Sequence, residues 1–196
     1  MHSQTPAEGR IARNRRAKRG QIIDAAKEIL ATEGLAACTA RAVADVGPLT
    51  KSAIHYYFND INEIVDLAML AHVDAMLEGV RDRAGSTTDP DERRWAVITA
   101  YLATFTDKPH AGFLWFEYWA DASRRESLGT VQHMLGRVHT LLLDLLDDLP
   151  PGTRDQTAHS LLSWLLGTVI QQQVHPRPAT DLRHELGMIV HGPAGP

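Results

Sequence analysis

Nowhere does this 196-residue chain sustain the period-2 alternation of β-branched and polar residues that a half-buried strand requires. Apolar residues recur instead at three- and four-residue intervals, and Gly- and Pro-containing breaks punctuate them. That pattern confines the chain to an all-α fold. The breaks leave room for about nine helices, near residues 15–32, 40–46, 51–58, 61–83, 90–106, 112–126, 127–149, 153–174 and 181–190. Gly34 stops the first helix in the manner of a C-terminal glycine. Thr39 and Thr50 are suited to cap the second and third, and Asp89-Pro90-Asp91-Glu92 to open the fifth. Thr153 and Gln156 form another capping-box signature. The stretch "GFLWFEYWADASRRE" is apolar nearly all round, which predicts a helix in the middle of a bundle.

Composition narrows the class. One cysteine, Cys38, excludes an internal disulfide framework and fits a reducing cytoplasm. No apolar run reaches the roughly 18 residues that crossing a membrane demands, and the N-terminus lacks the apolar stretch of a secretory signal. Charge is unevenly distributed. Residues 1–60 carry a net +3 and residues 61–196 a net −7. Arg10, Arg13, Arg15, Arg16, Lys18 and Arg19 form a basic run with no acid between Glu8 and Asp24. A basic head on an acidic body suggests that the head meets a polyanion, although a solvated tail has the same composition.

Two short helices joined by the tight turn Gly47-Pro48-Leu49, after a first helix with a basic arm, have the layout of a helix-turn-helix domain. The third helix of such a domain packs with one face and enters the major groove with the other. At 100° per residue Ile54, Tyr57 and Phe58 fall on one side, as packing residues. Ser52 and Tyr56 fall on the other side with His55 beside them, while Thr50 and Lys51 sit at the N-terminal end, where a phosphate is favoured. Arg41, on the second helix, is either solvated or a backbone contact.

The ordered set Ala25-Ala26, Glu33-Gly34-Leu35, Thr39, Val43-Ala44 and His55-Tyr56-Tyr57-Phe58 resembles the DNA-binding domain of the TetR family of transcriptional regulators. The match covers roughly a quarter of the chain. Four positions depart from the family pattern: Gly47-Pro48 replaces Ala-Gly in the turn, His55 replaces the first Tyr, and Ile61 replaces a lysine that opens the fourth helix. The resemblance implies a basic arm at residues 1–14, expected to be disordered, a helix-turn-helix domain at 15–60, a ligand-binding and dimerisation body at 61–191, and a disordered tail at 192–196. Arg15, Arg16, Lys18, Arg19, Thr39, Arg41, Thr50, Lys51, Ser52, His55 and Tyr56 are then the DNA-contact candidates.

The same resemblance implies a ligand pocket among the middle helices, for which Tyr101, Phe105, Trp115, Phe116, Trp119, His133 and Trp164 are candidates. "FLWFEYWADASRRE" further resembles the choline-responsive branch of the family, which implies a quaternary ammonium held by aromatic faces, with Glu117 and Asp121 supplying charge. The alternative is that the rings are core and the acids solvated. The last two long helices resemble the family's dimerisation pair, with Leu161, Leu162, Leu165, Val169, Leu182, Leu186 and Ile189 at the interface. The expected protein is a homodimeric repressor released from a palindromic double-stranded DNA operator by a small-molecule effector. The chain lacks a Gly-x-Ser-x-Gly, a phosphate loop, a Cys/His pair and histidines at metal-ligand spacing, so no catalysis, cofactor or metal is expected. A small α-helical enzyme and a helical ligand-binding protein with no DNA role are the alternatives.

Overall fold

A computed structural model describes residues 6–47, 50–107 and 109–192. Among the described residues there are nine α-helices and no strand. The chain divides into two compact units, Met1–His72 and Val73–Pro196.

The first unit holds α1 (Pro6–Glu33), a 3-10 turn at Leu35–Ala37, α2 (Ala40–Val46), α3 (Lys51–Tyr57) and the first turns of α4 (Ile61–Ala84). Ile22, Ala25, Ala26, Ile29 and Leu30 make one buried stripe along α1, and α2 and α3 both pack on that helix. The two alanines let the backbones approach closely. Gly34, at φ 84°, ends α1 in the left-handed region that favours glycine. The expected boundary at residues 60 and 61 moves into α4, where Ile64, Val65, Ala68 and Met69 are buried.

The basic arm is the first correction. Residues 6–14 are helical and continuous with α1, not disordered. Pro6 opens the helix, where its missing N–H costs nothing, and Ala7, Glu8, Arg10, Ala12 and Arg13 are good helix formers. Side chains from Arg10 to Ala17 are exposed, so propensity and continuity, not burial, carry this segment. Residues 1–5 of the arm and 193–196 of the expected tail lie outside the described residues, as do Pro48 and Leu49 of the turn. Gly47 does not use a positive φ. Its φ is −85°, and its need for glycine is steric, since a Cβ would lie 2.9 Å from the Val43 carbonyl oxygen.

The second unit holds the rest of α4 with α5 (Pro90–Asp107), α6 (Pro109–Arg124), α7 (Gly129–Leu145), α8 (Pro151–Val174) and α9 (Ala179–His191). Helix α5 is its axis and packs on α6, α7, α8 and α9. Asp89 caps α5 as expected, its Oδ1 accepting from the Glu92 amide at 2.9 Å. The capping box at Thr153 does not form. Helix α8 starts earlier, at Pro151, and the Thr153 hydroxyl donates to the Pro150 carbonyl at 3.0 Å. Helix α6 is not enclosed either. Among its described side chains only Leu114, Tyr118 and Ala122, at four-residue spacing, form a buried stripe, and Phe113 and Trp119 are each more than half exposed. Among the described residues no helix is long and apolar enough to cross a membrane.

Arg94 fastens the start of α5. Its side chain is 2% exposed and pairs with Asp91 at 2.5 Å and with Asp148 beyond the end of α7. The guanidinium holds the Asp148 carboxyl below its ordinary value. Asp91 Oδ1 also meets His191 Nε2 at 3.0 Å, which ties in the end of α9. Replacing Arg94 with Ala removes a buried charge and its packing. The partner carboxylates remain hydrated, so the expected loss is about 2 kcal/mol, below the 3–5 typical when a charge is stranded in the interior. Urea unfolding of the full chain checks this.

Candidate functional site

Helix α3 is only seven residues long and cannot persist alone. Three contacts hold it. Ile54 and Phe58 are buried inward, and the Thr50 hydroxyl accepts from the Ala53 amide at 3.3 Å. Thr39 caps α2 in the same way, accepting from the Ala42 amide at 3.2 Å. With Ile54 turned in, Lys51, Ser52, His55 and Tyr56 are all exposed. They are spaced i, i+1, i+4 and i+5, one continuous face of about 140°. Tyr56 stands 73% exposed, braced edge-on by the Tyr57 ring at 5.1 Å. Tyr57 is half-buried where the sequence predicts a packing residue, because it closes the helix and supports Tyr56 from the side.

Arg19 is the main correction among the DNA-contact candidates. Its guanidinium donates to Glu63 Oε1 at 2.8 Å and to the Tyr57 carbonyl, and its Cζ lies 4.0 Å from the centroid of the Phe58 ring. It therefore joins α1 to the end of α3 and the start of α4. Glu63 is held in turn. Its amide donates to Asp60 Oδ1 at 2.9 Å, and its Oε2 accepts from the Asn59 amide at 3.0 Å. The hydrogen bond from Arg19, then that from Asn59, holds the Glu63 carboxyl below its ordinary value. Ile61, where the family pattern has lysine, is half-buried. Of the other candidates, Arg15 and Arg16 are exposed on α1, and the Lys18 ammonium donates to Gln21 at 3.3 Å. Arg41 is exposed and loosely paired with Asp45 at 3.8 Å.

In the second unit Tyr101, Phe105, Trp115 and Phe116 come together with Leu166 and Val169 around a cavity of about 10 Å³, space for about one water. Burial pushes the Tyr101 phenol well above its ordinary pKa. Trp119 and His133 are exposed and do not line that cavity. Trp164 does not line it either; its indole N–H donates to Glu185 at 2.9 Å in a separate open cleft of about 580 Å³ between α8 and α9. The two acids suggested as partners for a cation are not paired with the rings. Glu117 is exposed, and Asp121 is bonded by Arg125 Nε at 2.7 Å.

The interface candidates divide in two. Leu161, Leu165, Val169, Leu182 and Leu186 are buried within the single chain, so they are core, while Leu162 and Ile189 are half-buried. The apolar residues that α8 and α9 leave outside are Ile170, Val174 and Met188, at 48, 65 and 42% exposure. Leucine content thus singles out the stripe that the chain buries in its own core. Helix α8 also carries Ser163, Gly167, Ile170 and Val174 at helical spacing, with Ser163, Ile170 and Val174 exposed.

Residues 22–68 match the model described as bacterial regulatory proteins, tetR family. The chain is 30% identical over 85 residues to the transcriptional activator FasR of Mycolicibacterium smegmatis, covering 43% of this chain and 39% of that protein. It is 30% identical over 91 residues to the transcriptional repressor KstR2 of Mycobacterium tuberculosis, covering 46% of each. The chain thus spans less than half the length of these curated relatives. The multidrug binding protein EbrR, solved with imidazole, shares the fold with a TM-score of 0.68 at 22% identity, over 91% of this chain and 93% of that one.

Replacing Arg19 with Ala is expected to destabilise the first unit by about 1–2 kcal/mol, since charge-assisted hydrogen bonds and a ring contact are lost together. Glu63→Gln should cost less. Because the folded-state carboxyl is depressed, its contribution is present above the ordinary value of 4.5 and disappears as pH falls below it. Denaturation of wild type and Glu63→Gln at descending pH should show their difference closing.

Proposed function

We propose that this chain, which carries the DNA-binding domain of the TetR family over residues 22–68, is a homodimeric transcriptional repressor released from a palindromic operator by a small-molecule effector. The observation that carries the reading is the outward face of α3. Lys51, Ser52, His55 and Tyr56 stand together on a helix whose other side is fixed. Ser52, His55 and Tyr56 face the major groove. Lys51, Arg15, Arg16 and Arg41, with the hydroxyls of Thr39 and Thr50, meet phosphates. Repression is the activity named for KstR2, whereas FasR is named an activator. The cytoplasm, where Cys38 stays reduced, is the expected compartment.

Ile170, Val174 and Met188, with the open approach at Gly167, form the face through which two copies pair. A two-fold dimer places two α3 helices on related half-sites. The effector enters between Tyr101, Phe105, Trp115 and Phe116 and widens that space. It favours a conformation whose α3 helices no longer match the operator, with α4 the covalent connection between the two units.

Selection of genomic fragments by the purified protein tests this reading; retention of none, even at low salt, overturns it. On a selected fragment, Lys51→Ala should weaken binding whatever the sequence. It should also reduce the slope of log affinity against log salt by about 1 for each Lys51 lost. Tyr56→Ala should weaken the selected fragment more than random DNA. The paired substitution Ile170→Glu and Val174→Glu should give a monomer by sedimentation with little change in unfolding midpoint. Leu165→Ala should instead destabilise the chain by about 2–5 kcal/mol, as a core truncation does.

A further inference from the structure

Ten histidines are spread along the chain, and among the described residues two of them converge with an acid. His139 on α7 faces Asp155 and His159, which are four apart on α8 and so share one side of that helix. One ligand atom from each of the three lies within 4.8 Å of the others. The Asp155 carboxylate is 3.7 Å from His139 Nε2 and 3.5 Å from His159 Nδ1. The first runs to Oδ1 and the second to Oδ2, and each is near the donor–donor edge of about 3.4 Å in a tetrahedral site with bonds of about 2.1 Å. The two imidazole rings are 4.4 Å apart. A second observation points the same way. His139 Nε2 is shielded from solvent and has no hydrogen-bond partner among the described residues, and it points toward the Asp155 carboxylate. An unpartnered buried nitrogen costs free energy unless something binds it.

We propose that His139, Asp155 and His159 form a binding site for a divalent transition-metal ion of the zinc type, bridging α7 and α8. Two neutral imidazoles and one carboxylate are the donor set that suits zinc, cobalt and nickel, and a water completes the coordination. Asp155 and His159 are exposed, so their side chains close on the ion by rotation alone. His159 Nδ1 lies 2.9 Å from the Asp155 carbonyl, and binding through that nitrogen exchanges this contact for the ion. The site is independent of the α3 face and of the aromatic cavity, so it stands or falls separately from the regulatory reading.

The test is calorimetric titration of the EDTA-stripped, untagged full chain with zinc ion in a non-coordinating buffer. One equivalent per chain is expected. His159→Ala and Asp155→Asn should each weaken it at least tenfold, and His133→Ala, elsewhere on α7, should leave it unchanged. Both weakened variants alter exposed side chains, and circular dichroism confirms their fold. Zinc ion should also raise the unfolding midpoint of the wild type and not that of His159→Ala. Absence of a stoichiometric event overturns the proposal. So does an affinity that His159→Ala and Asp155→Asn leave intact, or one that His133→Ala lowers equally.

Discussion

A single guanidinium, that of Arg19, fixes how helix α3 is presented. It lies over the Phe58 ring, donates to the Tyr57 carbonyl and pairs with Glu63. The seven residues of α3 form too short a helix to hold its own shape, so its end is stabilised from outside. The charge does this better than an apolar residue could. The carbonyl at a helix C-terminus carries partial negative charge, and a cation there satisfies both the hydrogen bond and the field. Glu63 completes the device by neutralising the same cation while its own amide and Oε2 close the Asn59–Asp60 corner. One arginine thus binds the first helix, the end of the third and the start of the fourth. The exposed face of α3 is a consequence of that joint.

That joint also marks the limit of what the sequence could disclose. The all-α class, the caps at Thr39, Thr50 and Asp89, and the inward turn of Ile54 and Phe58 are local or periodic properties, so they were legible. The role of Arg19 depends on residues 38 and 44 positions away, and in one dimension it is another member of a basic run. The helical state of residues 6–14 was missed because their charge suggested an arm, although charged Ala- and Arg-rich segments are also good helices. Composition and propensity conflicted there, and continuity with α1 decided the outcome.

The body shows the same contrast at larger scale. Helix α8 carries two apolar stripes. Leu161, Leu165 and Val169 are buried in the chain's own core, and Ile170 and Val174 are left outside. Hydrophobicity alone cannot tell the buried stripe from the exposed one, because both carry apolar side chains. What distinguishes them is which helices already flank each side. Here α7, α5 and α6 all pack against α8, while a Cβ on Gly167 would meet nothing within 4 Å. The histidine pair was hidden for a related reason. His139 and His159 belong to different helices, and only the α7–α8 packing brings them together.

The aromatic cavity bears on how an effector can act. At about 10 Å³ it accepts no molecule larger than a water. A ligand with several ring atoms therefore cannot bind this conformation and the widened one equally well. Differential affinity is the quantity that shifts a conformational equilibrium, and a site closed in one state supplies it by construction. The cost is that the apparent affinity is reduced by the fraction of chains in which the space is open. Tyr101 and Phe105 are buried on α5, the helix on which α6, α7, α8 and α9 all pack. The cavity is lined from α5, α6 and α8, so opening it repacks helices of the second unit and not a surface loop. On the regulatory reading, this makes occupancy of a small cavity a change in the packing of the whole body.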